Sequence, residues 1–234
     1  MTATLEIHSP EREALGHLVL SLADNKAALG RRYGEWAVSA PTLESAVAAA
    51  AMAQDELGHA RATYPLLKQL ESGRSSQVAG RRVMPVLAGE LPSWPWFVAV
   101  NFAVDGMLTA FVRACEESAF VGLAQRARKV LQEERSHAVH ARAWARRLAR
   151  DKVQRDAFAA ALGEAWWQAA RWAGPGESEE FCTLVAGGFV AQGPDALRRA
   201  VRVMIGEALE DTGLPRLALP EPHDWAGWNP EERA

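Results

Sequence analysis

The chain has 234 residues, 49% of them hydrophobic and 24% charged, enough to bury one sizeable core and too apolar for a disordered tail. Its 26 basic and 29 acidic side chains leave a formal charge of −3, which excludes the basic surplus that non-specific nucleic-acid or anionic-membrane binding requires. No membrane span or signal peptide is expected, because no uncharged stretch is longer than Leu91 to Val104, which is short of a bilayer crossing and holds two prolines. The cytoplasm is the expected location. Cys115 and Cys182 form no CxxC pair and are expected as packed thiols.

Alanine and arginine abound, β-branched runs are scarce, and apolar residues recur at three and four, so the expected class is all-α. The first helix is expected from about Pro10 to Arg32, with Leu15, Leu18, Leu22 and Leu29 on one stripe. Thr42 caps a second that runs to Leu70, with its apolar stripe through Leu43, Ala50, Ala53, Ala60 and Leu67, and Ser72-Gly73 closes it. After a loop from Gly73 to Pro92, a third helix runs from Pro95 to near Gly122 and a fourth from about Ala124 to Arg150. Short loop, long loop, short loop is the connection pattern of a ferritin-like four-helix bundle. Asp151 to Trp172, Glu179 to Val190 and Pro194 to Thr212 read as three appended helices. From Leu214 onward, prolines with Trp225 and Trp228 suggest an extended tail docked by its tryptophans. No linker divides the chain, so one domain is expected over 1–234, with the bundle at about 10–150 and the appended layer at about 151–234.

Two Glu-x-x-His motifs carry the chemistry, Glu56 to His59 on the second helix and Glu134 to His137 on the fourth. Spacing i, i+3 puts each pair on one helical face, beside or on the apolar stripe. Asp105 adds a carboxylate in the apolar row Phe97, Asn101, Asp105, Leu108, Val112 of the third helix. Carboxylates on core faces are costly unless paired or bound to metal. Two helices giving Glu-x-x-His and two giving a lone carboxylate is the ligand set of di-iron and di-manganese bundles. The alternative is a salt-bridged core network of the same residues. On the first helix the fourth carboxylate is missing: Lys26, four after Leu22 and three before Leu29, stands at its place.

Four blocks, Ala23 to Trp36, Gln54 to Arg61, Val104 to Gly106 and Glu133 to His137, resemble the ferritin-like subunits of the bacterial phenylacetyl-coenzyme A epoxidase, over about the first 150 residues. In that family a catalytic subunit holds a di-iron centre and a structural partner of the same fold has lost much of it. The first block is similar to the structural partner and the second to the catalytic subunit. The resemblance implies Glu56, His59, Asp105, Glu134 and His137 as ligands of iron or manganese, in one or two ions or none. It also implies a coenzyme A thioester substrate, a homologous subunit or a second copy as partner, and a separate reductase if the chain is catalytic. Two departures stand out: Lys26 replaces the first-helix glutamate, and Met52 replaces a lysine one turn before Glu56. Lys26 is expected to modify the site, weakening the half made by Glu56 and His59 more than that of Asp105, Glu134 and His137. Catalysis by iron and a scaffold with a degraded site are the two competing readings; iron storage shares the fold but leaves the four blocks unexplained.

Three further features are weaker. Arg126, Arg128, Lys129, Arg142, Arg146, Arg147 and Arg150 crowd the fourth helix as a solvated face or a contact for coenzyme A phosphates. Trp166, Trp167 and Trp172 suit either a subunit interface or packing under the bundle. His140 is a candidate support for His137.

Overall fold

In the computed structural model, which describes residues 7–70, 82–212, 214 and 219–233, the described residues are helical with no strand. Helix α1 (Ser9–Trp36) opens with Pro10 in its first turn, and the Glu11 carboxylate accepts the His8 backbone N–H at 3.0 Å. Helix α2 (Leu43–Gln69) begins at Thr42, whose hydroxyl accepts the Ser45 N–H at 3.2 Å. The short α3 (Pro85–Ala88) lies in the crossover, and the expected stop at Ser72-Gly73 lies outside the described residues. The third long helix is continuous from Trp94 to Ala114, as α4 (Trp94–Val100), a π-helical segment (Asn101–Asp105) and α5 (Gly106–Ala114). Helix α6 (Val121–Leu148) completes the bundle.

Contacts at matching levels fix the directions. Lys26 meets Asp105 and Trp36 meets Trp94, so α1 and α4 run antiparallel; His59 meets Glu133 and Asp55 meets His137, so α2 and α6 do too. Gly30 lets α1 and α2 close on each other, since a Cβ there would lie 2.8 Å from Leu57 Cγ and 3.1 Å from the Ala53 carbonyl. The buried face of α2 runs through Ala49, Met52, Ala53, Glu56, His59, Ala60 and Thr63. It is rotated from the expected stripe, leaving Leu43 78% exposed and Ala50 exposed.

The span Trp94–Ala114 is long and apolar enough to cross a membrane by length and composition, but 78% of its apolar window is buried inside the fold, as suits a core helix. It ends earlier than the sequence suggests. Ala119 N–H donates to the Gly188 carbonyl at 2.9 Å and Ala191 N–H to the Ala114 carbonyl at 2.8 Å, so the turn after α5 pairs with a distant segment instead of continuing the helix.

The appended layer packs directly on the bundle as α7 (Lys152–Ala173), α8 (Glu179–Ala186) and α9 (Pro194–Leu209). Asp151 caps α7 by accepting the Gln154 N–H at 2.9 Å. Trp166 and Trp172 are fully buried, and Trp172 Nε1 donates to Ser21 Oγ at 2.8 Å, so both serve packing and neither is available to a partner. Trp167 is half-buried. Of the two cysteines expected to be packed, Cys115 is buried and Cys182 is exposed on α8.

The tail docks through its tryptophans and one arginine. Trp228 Nε1 donates to the Arg171 carbonyl at 3.0 Å, and its ring lies against Gly174, whose φ of +88° and 2.8 Å clearance to Trp228 both require glycine. Arg233, 2% exposed, donates to the carbonyls of Trp172 and Ala173 and to Glu180 at 2.8, 3.0 and 2.6 Å.

Candidate functional site

Glu56, Asp105, Glu134 and His137 converge at mid-bundle, all buried, with ligand atoms within 4.8 Å of one another. Such a group of oxygen and imidazole donors can hold a metal ion. The π-helical turn presents Asp105 here: its extra residue widens the helix at the level of the cluster, a feature common at functional positions. His59 Nδ1 lies on the same side, 3.4 Å from Glu134 Oε1 and 3.8 Å from Glu56 Oε2.

Lys26 fills the centre. It is 1% exposed, and its ammonium donates to Glu56 Oε1 and Asp105 Oδ1 at 2.9 Å each and to Glu134 Oε1 at 2.5 Å. Three donors meet three acceptors, one from each of the other bundle helices. Burial alone would depress the lysine pKa, but Asp105, Glu134 and Glu56 outweigh it and hold the pKa well above the usual value. Burial would raise Glu134, yet Lys26 and both histidines keep it well below the carboxylate range. Asp105, pushed up by burial and by Glu134, is lowered on balance by Lys26 and His137. Glu56 is the exception: burial and then Asp105 raise it despite Lys26, and its Oε2 has no hydrogen-bond partner among the described residues.

Both histidines are held crosswise. His137 Nδ1 lies 2.9 Å from Asp105 Oδ2 and its Nε2 3.3 Å from Asp55 Oδ2; His59 Nε2 lies 2.7 Å from Glu133 Oε2. Burial opposes the imidazolium, but Asp105, Glu134 and Glu56 raise the His137 pKa, and Glu134 and Glu56 raise that of His59 to about 9. Lys26, His59 and His137 thus face Glu56, Asp105 and Glu134, with Asp55 and Glu133 on the outer nitrogens of the two imidazoles. Asp105 Oδ2 also receives Tyr33 Oη at 3.2 Å and Asn101 Nδ2 at 3.1 Å.

All six residues singled out from the sequence thus meet. Reasoning from sequence missed Asp55, Glu133 and Tyr33. The first two had a signal, since an acidic residue directly precedes each Glu-x-x-His. Two expectations change. Lys26 touches Glu56, Asp105 and Glu134 alike, so it does not single out the half made by Glu56 and His59. His140 gives His137 no hydrogen bond: its ring packs edge-on to Trp94 and Phe97, neither nitrogen has a partner among the described residues, and burial lowers its pKa to about 4. Arg126, Arg128, Lys129, Arg142, Arg146 and Arg147 lie exposed along α6, and Arg150 lies exposed in the turn just beyond it.

A two-metal centre does not fit this arrangement. A metal ligand must be deprotonated, whereas here the inner nitrogen of His137 sits in an ion pair and the ammonium holds one oxygen of each carboxylate.

Fold and donor set together define a ferritin-like carboxylate bundle. The chain belongs to the phenylacetic acid catabolic protein family, whose model matches residues 1–233. No curated protein matches it.

Proposed function

We propose that this chain is a non-catalytic helical subunit of a cytoplasmic multicomponent oxygenase acting on an aromatic coenzyme A thioester. It folds as one ferritin-like domain and pairs with a catalytic homologue or with a second copy of itself. The observation that carries this reading is the Lys26 ammonium bonded to three carboxylates that a metal would need. In this reading Lys26 does electrostatically what a cation does in a metal-bearing bundle: it neutralises the core acids and ties α1 to α2, the π-helical segment and α6. A primary ammonium has neither open coordination positions nor redox chemistry, so the cluster supports structure and docking.

A second reading, an oxygenase subunit with iron on Glu56, His59, Asp105, Glu134 and His137 and electrons from a separate reductase, is favoured by one feature. Both histidines turn Nδ1 inward and hold Nε2 on an outer carboxylate, the support metal-bound imidazoles use. Dioxygen uptake separates the two. Given ferrous iron, a reductase and phenylacetyl-coenzyme A, the chain alone should consume no dioxygen above the protein-free rate, and should raise turnover when added to a catalytic homologue. Substrate-dependent uptake by the chain alone would overturn the scaffold reading.

A further inference from the structure

Helix α2 packs its buried side on α1 and α6 and leaves the opposite side open. Leu43, Val47, Ala50, Gln54 and Leu57 recur at three and four along that side, so they share one stripe, and all are exposed, Leu43 by 78% and Val47 by 62%. The stripe carries no charge over roughly four turns, about 21 Å of helix. Exposed Ala50, Ala51 and Gly58 keep it low enough for another helix to seat close to the backbone. Charge sits at one end. Arg61 continues the stripe, and Arg126 and Lys129 of α6 border Gln54 and Gly58 across the seam; all three cations are exposed and make no ion pair among the described residues. The acids at that seam, Asp55 and Glu133, are held by His137 and His59. Glu44, the one exposed acid of α2, lies in the first turn, at the far end.

We propose that this face docks an amphipathic helix of another protein, with the apolar side of that helix along Leu43 to Leu57 and a cluster of Asp or Glu against Arg61, Arg126 and Lys129. An uncharged helical stripe with a cationic end is the complement of such a helix. A second copy of this chain is a poor complement. Antiparallel pairing of the two stripes sets three cations against Glu44 alone, which Arg147 already attracts, and parallel pairing sets cation against cation. A bilayer is no better matched, since the stripe has no aromatic side chain to enter the headgroup region. The face lies on α2 and α6, whereas Trp167 lies on α7, so it serves a different partner from the one expected there. It does not depend on what fills the Lys26 cluster.

Fluorescence anisotropy of a labelled helical peptide of about five turns, with leucines at three and four and a glutamate cluster at one end, titrated with the full chain, tests the proposal. The peptide should bind saturably, and versions with lysines for the glutamates or serines for the leucines should each bind at least about tenfold more weakly. Arg61→Glu with Arg126→Glu and Lys129→Glu should reverse the preference to the lysine peptide, and Val47→Asp should weaken the glutamate peptide about tenfold. All four positions are exposed, and circular dichroism checks that the variants keep the native helix content. Should the triple variant not fold, raising salt on the native chain from about 50 to about 500 mM gives the same answer by weakening the glutamate peptide and not the lysine one. Equal affinity for the two charged peptides, no loss in Val47→Asp, or absence of saturable peptide binding, with or without binding to phosphatidylglycerol vesicles, would overturn the proposal.

Discussion

Replacing Lys26 with Met keeps an unbranched chain of similar reach and removes only the ammonium. Three hydrogen bonds to Glu56, Asp105 and Glu134 vanish, and three buried carboxylates then face two imidazolium groups. Removing one partner of a buried ion pair costs about 3–5 kcal/mol, because the remaining charge stays desolvated and unpaired. At about 2–4 °C per kcal/mol for a chain of this size, the midpoint should fall by roughly 6–20 °C. The loss should depend on pH. Glu56, whose pKa burial and Asp105 raise, is the group that takes up a proton most readily to restore neutrality, so the penalty should be smaller at mildly acidic pH than at neutral pH. Thermal unfolding followed by circular dichroism at both pH values, with chelator present throughout, measures it. A variant within about 1 kcal/mol of the native chain at the higher pH would refute the view that Lys26 neutralises the core.

Native stability should fall on both sides of neutrality. Glu134 and Asp105 have depressed folded values, so their contribution is present above the unfolded values and is lost as pH falls through the folded ones; His59, raised from 6.5 to about 9, contributes fully below 6.5 and loses its contribution as pH rises through about 9. His59→Gln should flatten that alkaline limb in a urea series, and an unchanged slope between those values would remove His59 from the account. Arg233→Ala strips three hydrogen bonds and leaves Glu180 without its closest cation; a loss of about 3–5 kcal/mol and faster proteolysis of residues 219–233 are expected, and intact protection would show that the tail docks without it. Since Trp166 and Trp172 are interior, assembly through this face falls to half-buried Trp167. Trp167→Glu should lower the sedimentation mass, and an unchanged mass would place the partner elsewhere.

The bundle was legible because its evidence is local: Thr42 and Asp151 cap the helices they were expected to start, and the three-four spacing of α1 placed Lys26 in the core. Boundaries set by distant partners were not. Cys115 to Phe120 reads as helix, and only the pairing of Ala119 with Gly188 and of Ala114 with Ala191 explains the break. The candidate site was legible as two repeated motifs plus Asp105 in an apolar row. What the pattern could not give was the position of the Lys26 ammonium relative to three other helices, because a one-dimensional register places a side chain on a face but not at a distance. The π-helical turn has no periodic signature either, and Tyr33 looked like an ordinary core aromatic.

The central claim, that an ammonium stands where the cluster would otherwise take metal, is tested most directly by counting bound iron. The native chain and Lys26→Glu, each loaded anaerobically with ferrous iron and desalted, are compared by elemental analysis, with circular dichroism confirming that both are folded. The account predicts well under one iron per native chain and a rise towards two in the variant, where a carboxylate replaces the cation and completes the ligand set. Two tightly held irons in the native chain would contradict it.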